Sequence, residues 1–367
     1  MINFLPMKIG VISHLRHPIR KPFMGGLEAF TFDVCKRLQS RGHDVSLHAS
    51  ADSDPSLNLK PILCDKNYNQ ITGSRFTSHD LCQDFITTHH AYVELMQEID
   101  EQNYDVIFNN CLNYVPIMMA SVIKTPIITV LHTPPIFELK KAITCEQIYG
   151  DIKYVTVSET NARSWEPYVQ DCQVIQNGID LKTWAFYPDK QEDYLIWFGR
   201  IHPDKGTHIA IQAAQKAGKR LKVVGTISDH DYYNKHVKPL LDDTIEMVGH
   251  CNHEQLNVLI GGAEVCLITP CWDEPFGLVV AEALACGTPV AGISRGALPQ
   301  ILDEFTGCLT SSVAAEDLAI CIHNASKLNR HDCRKRAEDT LDIELMMDSY
   351  EKLLLSKSRK MPFSYAV

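Results

Sequence analysis

Residues 271–290 read CWDEPFGLVVAEALACGTPV, and this stretch decides the fold. Pro275 favours a turn just ahead of a helix. Phe276, Gly277 and Leu278 then fall in the first helical turn, where backbone N–H groups have no intrahelical acceptor. With the positive end of the helix dipole, that turn is suited to a phosphate. Gly277 allows a ligand to come close to the backbone. The helix GLVVAEALACG is apolar nearly all round, which predicts burial. Glu282 is its exception. A buried carboxylate costs several kcal/mol unless it is paired or hydrogen-bonded. Its partner is either a protein group, such as an arginine or a backbone amide, or the hydroxyl pair of a ligand. These residues alone leave both open.

Outward from this segment the chain alternates short aliphatic runs with amphipathic stretches, the pattern of βα units on buried parallel sheets. C-terminal to residue 190, strands are predicted at 193–199, 220–225, 244–249, 263–269 and 288–293. Helices are predicted between them near 206–217, 230–240, 252–261 and 277–286. The first half repeats the scheme, with strands at 8–13, 44–49, 104–110, 126–132, 152–158 and 171–178. Its helices are predicted at 27–41, 79–102 and 159–167. In 27–41 the residues Leu27, Phe30, Val34 and Leu38 keep helical spacing. NGIDLKTWAFYPDKQED (177–193) breaks the alternation and reads as a linker. The expected domains are therefore 1–180 and 181–345, with 346–367 as a C-terminal helix and tail. Helices at about 313–325, 330–340 and 343–356 precede a loosely held end. In doubly wound sheets ligands bind beyond the carboxyl ends of the strands.

Composition narrows the function. Of 367 residues, 45% are apolar and 22% charged, as in soluble globular chains. The net charge is −10, with 15 basic against 20 acidic residues in 1–180 and 20 against 25 in 181–367. Neither half is basic, which disfavours nucleic acid as a partner. Arg16, Arg20 and Lys21 leave a local peripheral membrane contact open. No apolar run is long enough to span a membrane, and the start resembles a strand rather than a secretory signal. The thirteen cysteines form no C-x-x-C pair and sit in apolar runs, as in a reducing, cytoplasmic chain.

FGRIHPDKG (198–206) joins a strand to a helix. Arg200 and Lys205 there suit a diphosphate, the first bidentately and the second as a point charge. MGGLE (24–28) places Gly25 and Gly26 at a helix start, where the backbone can approach a phosphate or sugar. His132 ends an apolar strand that Thr133-Pro134-Pro135 stops.

Glu274 and Glu282, with PFG after the first and EALACGTPV around the second, resemble the E-x7-E signature of retaining glycosyltransferases of family 4, which have the GT-B fold. MGGLE, VLHTPP (130–135), VSE (157–159), VIQNGID (174–180), FGRIHPDKG and VGH (248–250) follow in family order over almost the whole chain. The resemblance implies two facing Rossmann-like domains with an interdomain cleft, and a C-terminal helix returning to the N-terminal domain. It implies transfer of a hexose, UDP-hexose being favoured, to an acceptor hydroxyl of a glycan or small molecule. Arg200 and Lys205 would grip the donor diphosphate and His132 would contact the transferred sugar. Glu274 would hold a sugar hydroxyl and Glu282 the ribose. Gly225 and the backbone around His250 and Cys251 would line the base. Gly25, Gly26, Phe276, Gly277 and Leu278 complete the expected donor site, and His14 with the loop 16–23 is expected to face the acceptor. Asp52-Ser53-Asp54 and Asp229-His230-Asp231 match D-x-D but fall in polar loops, so neither a metal nor another cofactor is expected. A sugar-nucleotide epimerase and a catalytically inactive sugar-nucleotide binder are the alternatives.

Overall fold

The computed structural model describes residues 5–63 and 83–359. The first residues of the helix expected at 79–102, and the tail from 360 onward, lie outside them. The chain divides into two compact units. The first comprises residues 1–157, 162–175 and 347–367, and the second 158–161 and 176–346.

The first unit is built on β1 (Lys8–Ile12), α1 (Gly26–Ser40), β2 (Asp44–Ser50), β3 (Leu59–Leu63), α2 (Gln83–Glu98), β4 (Val106–Asn109), α3 (Val115–Met118), β5 (Ile127–Leu131), α4 (Phe137–Tyr149), β6 (Lys153–Thr156), the part of α5 (Glu159–Trp165) from residue 162, and β7 (Cys172–Val174). Its sheet has the order β3-β2-β1-β4-β5-β6-β7, and every pairing is parallel. β5, IITVL, is buried along its whole length, as its continuous apolar run predicts for a central strand. β3 and α4 were not expected from the sequence. β3 carries Pro61, which reads as a strand breaker, and it sits at the sheet edge, where a missing N–H is tolerated.

The second unit holds β8 (Tyr194–Phe198), α6 (Thr207–Lys216), β9 (Arg220–Val224), β10 (Ile245–Gly249), α7 (His253–Gly262), β11 (Val265–Ile268), α8 (Leu278–Ala285), β12 (Val290–Ile293), α9 (Leu298–Ile301), β13 (Gly307–Thr310), α10 (Ala315–Ala325), α11 (Arg330–Thr340) and the start of α12 (Ile343–Lys357). The sheet order is β10-β9-β8-β11-β12-β13, again all parallel. Residues 230–240, expected as one regular helix, are a succession of short α, π and 3₁₀ turns. Pro239 lies in the last of them, where it supplies no N–H to a helix. From Met347 onward α12 belongs to the first unit. There Glu351, nearly buried, takes Arg41 at 2.6 Å and His43 at 2.9 Å.

The expected linker is not a loose connector. The Ile179 N–H donates to Leu341 O at 2.8 Å and the Ile343 N–H to Ile179 O at 3.0 Å. The guanidinium of Arg330, only 9% exposed, donates to the carbonyls of Tyr187, Gly261 and Ala263 at 2.7–2.8 Å. A buried charge needs such acceptors, and in finding them Arg330 ties residues around 187 to the second unit.

In both sheets the strand order reverses once, between β1 and β4 and between β8 and β11. Chains leaving neighbouring strands there diverge to opposite faces and open a crevice at the carboxyl ends.

Candidate functional site

In the second unit the crevice beyond β8 and β11 is closed by a tight side-chain network. Thr269, just past β11, donates its hydroxyl toward the carbonyls of Lys205 and Gly206, each at 3.0 Å. The Trp197 indole N–H donates to the same Oγ1 at 3.1 Å. Gly206 has φ +62°, and a Cβ there would stand 2.1 Å from Thr269 O. Only glycine therefore lets this turn pack against β11. The turn carries Lys205, whose Nζ lies 2.6 Å from Glu274 Oε2. The Trp272 indole N–H donates to the same oxygen at 3.0 Å. Trp272 also lies under the Lys205 ammonium, 5.7 Å from ring centroid to Nζ. Lys205, Glu274, Gly277, Thr269 and Gly199 line one pocket. The structure thus brings Lys205 and Glu274 together and places Gly277 beside them.

The 271–277 loop is held from behind. The Ala297 N–H donates to Glu274 O at 2.9 Å. Gly296, at φ +60°, passes so close that a Cβ would meet Glu274 O at 2.3 Å. Gly277 is the N-cap of α8 at φ +96°, and no side chain caps the helix start. Phe276 is buried, and Leu278, half-buried, is the first helical residue.

Glu282 lies on the next turn of α8. Its carboxylate makes no hydrogen bond or ion pair among the described residues, and burial raises its pKa to about 7. The side chain retains partial exposure. Among the described residues, no internal arginine or backbone group takes the place of partner that the sequence left open.

Arg200 is exposed, and its side chain has no partner among the described residues. It follows Gly199 at the end of β8. Gly199, Gly225 and Gly249, at φ +150°, +144° and +82°, end β8, β9 and β10, three neighbouring strands. The Gly225 N–H donates to Gly249 O at 2.8 Å, and a Cβ on Gly225 would stand 1.8 Å from Gly199 O. His250, exposed, and Cys251, half-buried with its thiol pKa raised by burial, follow directly.

In the first unit, residues beyond β1, β4 and β5 meet at the start of α1. Gly25 is the N-cap of α1, and Gly25 and Gly26 are both exposed. His132, just past β5, shares a 2.6 Å hydrogen bond with Asn110 Oδ1 and packs edge-on against Phe30, with centroids 4.8 Å apart. Burial lowers its pKa to about 3, so it is a neutral ring. His14, past β1, lies 3.2 Å from the Glu28 carboxylate in the first turn of α1. Burial pushes the Glu28 pKa up, but the His14 hydrogen bond and charge outweigh it, and the net direction is down.

Asn110, Glu28, Trp272 and Thr269 were not singled out in the sequence. Glu28 had a signal: a carboxylate on the apolar face that Leu27, Phe30 and Val34 define. The other three had none, because their partners are distant in the chain. Asp54 and Asp229, from the two D-x-D matches, accept from Ser56 N and Tyr232 N and cap short helices. Among the described residues, no three His, Cys, Asp or Glu gather in a metal-binding group. No described helix is long and apolar enough to cross a membrane.

The domain family described as Glycosyltransferase Family 4 matches residues 24–183. The one described as Glycosyl transferases group 1 matches residues 182–340. A glycogen synthase of Mycobacterium tuberculosis is 27% identical over 209 residues, covering 53% of this chain and 50% of the relative. The chain thus spans about half the length of that curated relative. Among solved structures, HepE of Anabaena in complex with UDP and glucose superposes with a TM-score of 0.72 at 18% identity, over 95% of this chain and all of the other. AviGT4, a glycosyltransferase involved in avilamycin A biosynthesis, gives 0.65 at 18%, over 96% and 98%.

Proposed function

We propose, from the premise that this chain is a family 4-like glycosyltransferase with the GT-B fold, that it transfers a hexose from a nucleotide diphosphate sugar to an acceptor hydroxyl. A UDP-hexose is the favoured donor, transfer proceeds with retention, and no metal takes part. The observation that carries this reading is Glu282: a carboxylate without a partner among the described residues, one turn along a helix whose uncapped start adjoins Lys205 and Glu274. A ribose hydroxyl pair supplies the missing donors, and the diphosphate then falls toward the α8 N-terminus.

In this reading Lys205 and Arg200 stabilise the departing diphosphate as the bond from the anomeric carbon to the phosphate oxygen breaks. The acceptor oxygen forms the new bond to that carbon on the same face, and its proton passes to the leaving phosphate. Glu274 sets the position of the Lys205 ammonium and offers its remaining acceptor capacity to a sugar hydroxyl. His132, neutral and fixed by Asn110, is suited to a hydrogen bond with the transferred sugar and not to charge stabilisation.

The test is nucleotide release from UDP-, GDP-, ADP- and TDP-sugars without acceptor, with calorimetry on the same panel. Slow release from one donor identifies base and sugar. Binding without release, when release also fails after glycan and small-molecule acceptors are added, points to an inactive binder, and donor isomerisation without release to an epimerase. Turnover is expected to persist in EDTA; complete loss restored by a divalent cation would remove the metal-free claim.

A further inference from the structure

We infer that an aromatic tile on α2 and the loop after β4, made by Phe85, His89 and Tyr114, is a subsite for an uncharged saccharide ring of the acceptor. This deepens the transferase reading, on which the word acceptor rests. Phe85 and His89 are one helical turn apart on α2 and share a face. The Tyr114 hydroxyl lies 2.9 Å from His89 Nδ1 and fixes both rings. Ring centroids are 6.3 Å apart for Phe85–His89, 6.4 Å for Phe85–Tyr114 and 5.8 Å for His89–Tyr114, with interplanar angles of 14°, 17° and 24°.

Three nearly parallel rings at such mutual distances are not a column. Layers about 3.5 Å apart would put the outer two about 7 Å from each other, beyond every distance observed. At least two rings therefore lie side by side, and together they make a face wider than any one of them. Phe85 is 50% exposed, so part of its ring surface is open to a ligand.

The tile also has the right place. The Tyr92 hydroxyl on α2 donates to Ser13 O at 2.8 Å, immediately before His14. Ile12, Leu15, Tyr92, Cys111 and Val115 share one core cluster. α2 is thereby held at the carboxyl edge of β1 and β4, the switch point where His14 and Asn110 stand.

The chemistry of the tile selects its occupant. An aromatic face is electron-rich and attracts the C–H bonds on one side of a sugar ring. The Tyr114 hydroxyl is taken by His89, and the exposed His90 ring, 5.9 Å from His89, stands at the margin for sugar hydroxyls. None of the three tile residues is a fixed cation, so the tile fits a neutral ring better than a phosphate or carboxylate.

Saturation-transfer NMR on the full chain with maltose, cellobiose, lactose and myo-inositol tests this. Ring C–H protons of at least one probe are expected to receive saturation. Phe85→Ala should weaken that binding about two- to tenfold, and Phe85→Tyr should retain it. Thermal melts of both variants should match the parent. If no probe receives saturation, or if Phe85→Ala leaves it unchanged, the inference fails. Phe85-dependent flotation with anionic vesicles, without saccharide contact, overturns it in favour of a lipid surface. UDP calorimetry separates the two readings. Phe85→Ala should not alter UDP binding, and absence of UDP binding would defeat the donor assignment while leaving the saccharide result standing.

Discussion

Glu282→Gln is expected to raise stability at pH 8 while weakening nucleotide binding. The sign follows from burial. Burial holds the carboxyl pKa at about 7 in the folded protein, against an ordinary value of 4.5. The folded state therefore holds its proton through a pH range in which the unfolded chain has released it. The stabilising contribution of that proton is complete below about 4.5 and is lost as pH rises through about 7. At pH 8 the folded protein carries an ionised, unpartnered carboxylate. At about 1.4 kcal/mol per tenfold, its removal is worth at most about 3 kcal/mol, and partial exposure of the side chain makes that a ceiling. Gln keeps the shape and removes the charge. The melting temperature of the variant should exceed the parent's by several degrees at pH 8, and the two should converge toward pH 4.5. Nucleotide affinity should move the other way. Gln keeps one carbonyl acceptor, so only the charge-assisted part of the bond is lost, about 1–1.5 kcal/mol, and calorimetry should show about five- to tenfold weaker binding of the free nucleotide. As pH falls through about 7 the proton competes with the ligand, so parent affinity should fall more steeply than the variant's. Unchanged affinity in Glu282→Gln would make the residue structural.

Arg200→Ala should do the opposite: leave stability alone and damage turnover. Its side chain is exposed and has no partner among the described residues, so truncation breaks no internal contact. Surface changes of this kind stay within about 0.5 kcal/mol. If Arg200 holds the departing diphosphate, the loss of one charge-assisted bond lowers kcat/KM by about 10- to 150-fold, or about 1.5–3 kcal/mol. Arg200→Lys should recover only part of this, because an ammonium lacks the bidentate fork. Normal donor kinetics in Arg200→Ala would exclude the role. Lys205 is the contrasting case, since its removal also strips Glu274 of its cation.

What could be read without coordinates was whatever local chemistry dictates. Strand–turn–helix units followed from buried aliphatic runs and glycine turns, and the start of α8 from Pro275 and Gly277. The family resemblance rested on motifs spread along the chain. Weak local signals failed where context overrode them. Pro61 hid β3, and the short run Gly307–Thr310 hid β13, because an edge strand needs only one neighbour to form. The segment 177–193 looked like a linker because its turn residues and charges carry no sign of Arg330, which arrives from α11 to bind its backbone.

Sequence by itself determined two doubly wound domains and the residue types suited to a diphosphate, because helix starts, turns and burial patterns depend on near neighbours. Tertiary structure alone decided which of those residues have partners. Lys205 meets Glu274 across 69 positions, and His132 meets Asn110 across 22. Glu282 meets no polar partner among the described residues, and Phe85 and Tyr114 form one aromatic face. Each of these depends on where the β-crossovers return the chain, and pairing between distant side chains leaves no periodic trace in the sequence that encodes it.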